Sequence, residues 1–148
     1  MIAQTIQLAL APVFVLVALG NIMNLLSTRL GRVVDRSRAL QDRHGSTSGI
    51  EHDMVVREIR IVDRRIRLIG RALRLLVGSG LAIGVTVALL FLQEIAHVEM
   101  QRIAAGTFML AVGLMMWALV LFLHETQAAS AALRIPGEFL ERRGDRDR

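Results

Sequence analysis

The chain has no cysteine, no tyrosine and no lysine in its 148 residues, and only two prolines; all 18 of its basic residues are arginine. Without cysteine there are no disulfides and no thiolate metal sites. Aromatic residues make up 4% of the chain, too few to form stacking platforms for single-stranded nucleic acid. The arginines are also interleaved with Asp35, Asp42, Asp53, Glu58 and Asp63, which interrupts the basic surface that nucleic acid requires. The four histidines sit near turns or at the ends of apolar runs, with no nucleophile–base arrangement and no glycine-rich phosphate loop. Glu94 and His97 have the spacing of a metal-ligand pair, but no second set of ligands joins them. These absences argue against an enzyme, a cofactor, a metal site or a nucleic acid partner.

Ionisable residues are missing from three long stretches, Met1 to Thr28, Leu75 to Gln93 and Ile103 to Leu123, in a chain that is 53% hydrophobic. Each is close to or beyond the roughly 20 helical residues that cross a hydrocarbon core. The first lacks the charged start of a signal peptide and precedes nothing like an exported domain, so it reads as a retained helix. Between Arg29 and Arg74 stand 12 arginines against six acids; the short connection Glu94 to Arg102 has one arginine and two glutamates. From His124 to Arg148 the two signs balance at five each. By the positive-inside rule, the long connection and the tail are cytoplasmic and the N-terminus is outside.

The spacing predicts how the helices pair. Leu19, Met23, Leu26, Leu30, Val33, Ser37 and Leu40 alternate in steps of four and three, a seam running out of the first apolar stretch without a break. Pro12 allows a mild kink in this helix. The run His44-Gly45-Ser46-Thr47-Ser48-Gly49 is a turn by composition, and Ser48 with Glu51 matches a capping box for the next helix. There Val55, Ile59, Val62, Ile66, Ile69 and Leu73 repeat the seam. Two matching seams around a short turn specify an antiparallel hairpin, with Leu40 near Val55, Val33 near Val62, Leu30 near Ile66 and Leu26 near Ile69. In the second span Gly80, Gly84 and Ala88 form a small-residue stripe suited to a helix contact. The third span, with Met109, Met115, Met116, Gly106 and Gly113, suggests adaptable packing. Its helix is expected to continue past Gln127 until Pro136-Gly137, with Glu141 to Arg148 frayed. His124 and Glu125 read as interfacial residues.

Two polar surfaces stand out. Gln4, Gln7, Ala11, Ala18, Asn21, Asn24 and Thr28 share a face of the first helix opposite the Leu26/Leu30 seam, continued by Arg32 and Asp35. Amides inside a span must face protein or water. Gln7, Asn21, Asn24, Thr28, Arg32 and Asp35 are therefore candidates for the lining of a pore or, alternatively, for a hydrogen-bonded interface between helices. Arg57, Arg60, Arg64, Arg67, Arg71 and Arg74 step along the second helix opposite its seam. They form either a solvated anchoring face or, through Arg64, Arg67, Arg71 and Arg74, contacts to anionic lipid head groups. In the hairpin register Arg71 and Arg74 sit level with Asn24 and Asn21, so they must extend away from the membrane centre or find a partner.

The run Asn24-Leu-Leu-Ser-Thr-Arg29-Leu-Gly-Arg32-Val-Val-Asp35-Arg36-Ser-Arg38, following Ala11-Pro12-Val13-Phe14, resembles the bacterial membrane family called domain of unknown function 2721. Glu58 to Leu76 and the three-span layout are similar too, so the resemblance covers nearly the whole chain. It implies a bacterial cytoplasmic-membrane protein and brings no activity with it. The expected fold is all-α, with three transmembrane helices (spans about 6–28, 75–93 and 103–123). Helices one and two extend into a cytoplasmic hairpin over 29–74, followed by a cytoplasmic tail over 124–148. A single copy would leave the polar stripe facing lipid, so a homo-oligomer is expected. It would be either an ion-conducting protein with helix one near the axis, or a non-conducting scaffold whose basic hairpin binds anionic lipid or a cytoplasmic partner. Because the chain has no cysteine, topology is directly testable. Thr5→Cys and His97→Cys should react with an impermeant thiol reagent on intact cells and Thr47→Cys should not; labelling of Thr47→Cys from outside would reverse the orientation.

Overall fold

The computed structural model describes residues 2–132. They form three helices, α1 (Ile2–His44), α2 (Ile50–Ala96) and α3 (Gln101–Ala132). Leucine is frequent in all three, joined by arginine in α1 and α2 and by alanine in α1 and α3, and these residues lose little on entering a helix. In lipid a helix also satisfies its own backbone groups, which no open structure can do. α1 passes Pro12 and the Thr28/Arg29 boundary as one helix of 43 residues, so the apolar stretch and the charged extension are a single rod. The expected end of α3 at Pro136-Gly137 and the fraying of Glu141 to Arg148 lie outside the described residues.

The first turn spans residues 45–49, as its composition indicates, but its capping differs from the expected Ser48/Glu51 box. Gly49 is the N-cap of α2 at φ 69°, and no side chain caps that end. The positive φ, open to glycine at little cost, swings the chain into α2. The hydroxyls instead serve the helix behind them. Ser46 Oγ and Thr47 Oγ1 donate to the Arg43 carbonyl at 2.9 and 3.2 Å, joined by the Ser46 N–H at 3.0 Å. A helix C-terminus leaves carbonyls without partners, and short hydroxyls just beyond it reach them. At the other end His97 adopts the left-handed conformation, and the Met100 N–H donates to Gln93 Oε1 at 3.2 Å.

Packing follows seven-residue steps. On α1 the buried positions include Leu19, Leu26, Val33 and Leu40; on α2 they include Val55, Val62, Ile69, Leu76, Ile83 and Leu90. Met23, Leu30, Ile59, Ile66 and Leu73 pack partly buried beside them. These are the two seams of the expected hairpin, and Arg36 bonding to Glu58 across it at 2.6 Å fits the same antiparallel register. α2 carries a second stripe, Ala72, Ser79 and Thr86, which meets Ala104, Ala111 and Ala118 of α3. Small side chains let these backbones approach: Ser79 Oγ donates to the Ala111 carbonyl at 2.7 Å, and Thr86 Oγ1 lies 2.8 Å from Thr107 Oγ1. α2 is thus the central helix, packed on both others.

The expected small stripe of α2 is only partly used. Gly80 faces Leu19 and Leu16 of α1, whereas Gly84 meets nothing within 4 Å and Ala88 is exposed. Of the α3 methionines, Met115 packs on the core while Met109 and Met116 point outward. Each helix contains a stretch long and apolar enough to cross a membrane, yet only 17%, 22% and 11% of these stretches is buried inside the chain. The rest requires lipid or another protein surface to cover it.

Val33 and Val62 belong to one buried cluster. A Val33→Cys/Val62→Cys pair should therefore oxidise within one subunit, and Arg36→Cys/Arg60→Cys should not. Val62→Asp should destabilise the hairpin by about 3 kcal/mol, because an unpaired charge enters an apolar seam. Equal oxidation of the two pairs would refute the register.

Candidate functional site

Three polar constellations are built on this frame. The first lies where the apolar parts of the helices end. Continuing the α3 stripe Ala104, Ala111, Ala118 by seven residues reaches Glu125; continuing the α2 stripe Thr86, Ser79, Ala72 by seven reaches Arg65. The two stripes run antiparallel, so their charged ends meet. Arg65 Nε and Nη2 both donate to Glu125 Oε1, at 2.9 and 2.8 Å. Arg29 of α1 donates to Oε2 at 3.2 Å, with its guanidinium 5.0 Å from the centre of the Phe122 ring. Glu125 is 1% exposed. One carboxylate therefore ties all three helices together, each oxygen receiving its own arginine.

The second constellation is the outward face of α1. Gln7, Asn21, Asn24, Thr28, Arg32 and Asp35 are all exposed in the single chain, on the side away from α2. Thr28 Oγ1 is satisfied by the Asn24 carbonyl of its own helix at 3.0 Å. The side-chain amides of Gln7, Asn21 and Asn24 have no hydrogen-bond partner among the described residues, and Arg32 and Asp35 join no ion pair there. The block of charges after the first span thus divides by face. Arg29 and Arg36, seven apart, make internal ties, while Arg32 and Asp35 point away.

The third is the arginine face of α2. Arg57, Arg60, Arg64, Arg67, Arg71 and Arg74 are all exposed. Arg67 is paired with Asp63 one turn earlier, whereas Arg64, Arg71 and Arg74 have no acidic partner among the described residues. Arg74 Nη1 lies 3.8 Å from where a Gly70 Cβ would stand, so this side chain bends back one turn toward the hairpin tip. Such bending carries a charge away from the middle of a span.

The two polar faces were legible from spacing; the three-helix tie was not. Glu125 reads as an interfacial residue in isolation, and Arg65 falls outside the outward arginine series. The available signal was the seven-residue continuation of an alanine stripe into a glutamate and of its partner stripe into an arginine.

Three apolar helices joined by one short turn and one short connection make this the fold of a multi-pass membrane protein. The chain belongs to the family described as Protein of unknown function (DUF2721), whose family model matches residues 9–135, from within the first span to beyond Glu125. No curated protein and no solved structure matches it.

If Glu125 clamps the helices, its removal leaves two guanidinium groups facing one another. Glu125→Ala should destabilise the folded protein in detergent by about 3 kcal/mol, as for other broken buried pairs. Glu58→Ala, which breaks a pair 52% and 42% exposed, should cost less than about 1 kcal/mol. Thermal unfolding of the two double-mutant cycles, Arg65 with Glu125 and Arg36 with Glu58, measures the difference. Equal coupling in both would contradict the clamp.

Proposed function

We propose that copies of this chain assemble in the bacterial cytoplasmic membrane around α1, whose outward polar face surrounds a central ion-permeable path. The N-terminus is outside, the hairpin and tail are cytoplasmic, and the protein is not an enzyme. The observation that carries this reading is the set of amides on Gln7, Asn21 and Asn24. They stand outward on a helix whose apolar seam is already occupied by α2, with no partner among the described residues. Lipid leaves such groups unsatisfied at several kcal/mol each; the same face of a neighbouring copy, or water held between copies, satisfies them. Thr28 lies toward the inner end of the path, and Arg32 and Asp35 stand at its mouth. One favours anions and the other cations, in the manner of charged rings at pore entrances.

A second role rests on a separate observation, the arginine face of α2. Arg64, Arg71 and Arg74 lack acidic partners among the described residues, and a basic surface next to a span attracts anionic head groups by about 1 kcal/mol per arginine. A non-conducting scaffold held to anionic lipid, or to an acidic cytoplasmic partner, needs this face and not the α1 stripe.

Ion flux into liposomes containing the purified protein separates the two. The conducting reading expects flux that falls about tenfold in Asn21→Leu and changes in Thr28→Ala, as a barrier change of about 1.4 kcal/mol produces. An absence of flux across pH, voltage and divalent ions leaves the scaffold reading, as does flux indifferent to both substitutions.

A further inference from the structure

The end of the bundle opposite the Glu125 clamp holds a cleft. Beside the small cluster of Ala9, Leu90 and Ala104, the three helices line a cavity of about 460 Å³, within the roughly 300–1,000 Å³ typical of small-molecule sites. Its apolar lining includes Leu8, Pro12, Leu90 and Phe108, with Thr86 on the same side as Leu90. Its rim is polar and includes Glu94, Gln93 and Gln101. From Glu94 to Thr86 is eight residues of α2, about 12 Å at the helical rise. The cavity is thus amphipathic along the membrane normal, with polar groups where the second span ends and an apolar interior extending inward.

The charge at this rim is unbalanced. Glu94 is half-buried, and its Oε2 accepts a bond from Thr5 Oγ1 at 3.2 Å. No cation pairs with it among the described residues, and no arginine or histidine lines the cavity. A carboxylate at the mouth of an apolar cleft without an internal counter-charge favours a cationic guest. The acceptors at the rim narrow the guest further. A carboxylate and amide oxygens accept N–H bonds, and Phe108 is the one aromatic ring in the lining. A quaternary ammonium, which has no N–H and relies on an aromatic cage, fits poorly.

We propose that this cleft binds a primary ammonium carried on an apolar chain, with the ammonium at Glu94 and the chain lying between Leu8, Leu90 and Phe108. An ethanolamine phospholipid and a free alkylamine share this chemistry. Gln4 and Ala11, at the start of the α1 stripe, also line the cleft, but the site uses none of Gln7, Asn21, Asn24 and Thr28 and does not depend on whether the protein conducts.

Native mass spectrometry of the full-length protein in detergent tests the proposal, with phosphatidylethanolamine, phosphatidylcholine, phosphatidylglycerol and decylamine as separate probes. Phosphatidylethanolamine should be retained about tenfold more than either other lipid, and Glu94→Gln should remove that preference, as loss of a charge-assisted bond implies. Ala105→Phe, which fills the cleft from an exposed lining position and keeps the carboxylate, should lower retention of every chain-bearing amine. It serves as the second test should Glu94→Gln fold poorly. Glu94-dependent retention of decylamine without phosphatidylethanolamine would assign the site to a free amine. Equal retention of phosphatidylethanolamine and phosphatidylcholine, or retention unaffected by both substitutions, would overturn the proposal.

Discussion

The central helix must satisfy two partners at once, and the rest of the structure depends on how it does so. α2 presents one seven-residue stripe of large side chains, Val62, Ile69, Leu76 and Ile83, to α1, and a second stripe of small ones, Ala72, Ser79 and Thr86, to α3. The two contacts differ in physical character. The first interlocks bulky apolar groups and extends beyond the apolar stretch into the charged hairpin, where exclusion from water stabilises it. The second works by close backbone approach and hydroxyl bonds such as Ser79 to the Ala111 carbonyl. Such contacts hold helices together where lipid is as apolar as leucine and no hydrophobic force acts between spans.

Because both stripes run with the same period, they also dictate where charge is placed. At the level where the spans end, the small stripe becomes Arg65 on α2 and Glu125 on α3, and α1 adds Arg29. A buried carboxylate without partners would be strongly destabilising; with a guanidinium on each oxygen it orients three helices at one point. At the opposite end Thr5 of α1 bonds Glu94 of α2, Ala9, Leu90 and Ala104 pack as a small second cluster, and a cavity lies beside them. The bundle is tied by charge at one end and holds a cleft at the other.

The α1–α2 hairpin was legible because its signal is local and strong. Two series of large apolar residues flank a turn of five residues, and only one antiparallel pairing buries both. The outward faces followed by elimination, since a helix with one buried seam must present its remaining polar groups elsewhere. The Ser48 capping box failed for a reason equally local. The motif is defined by side chains, but Gly49 with its positive φ is the residue that starts the helix, beyond Ser48, and no side chain caps that end.

The sequence by itself determined the three apolar stretches, the hairpin register and the division of charge along the chain, because each follows from periodicity and from the exclusion of unpaired charge from lipid. Only the tertiary structure decided how α3 is rotated about its own axis. α3 is apolar on nearly every side within its span, so no contrast between faces marks the one that packs, and alanine every seventh residue gives a far weaker signal than leucine does. That rotation selects Glu125 rather than His124 as the residue that turns inward. It brings Arg65 and Arg29 together on one carboxylate, and it leaves the cleft beneath Glu94 at the other end of the molecule.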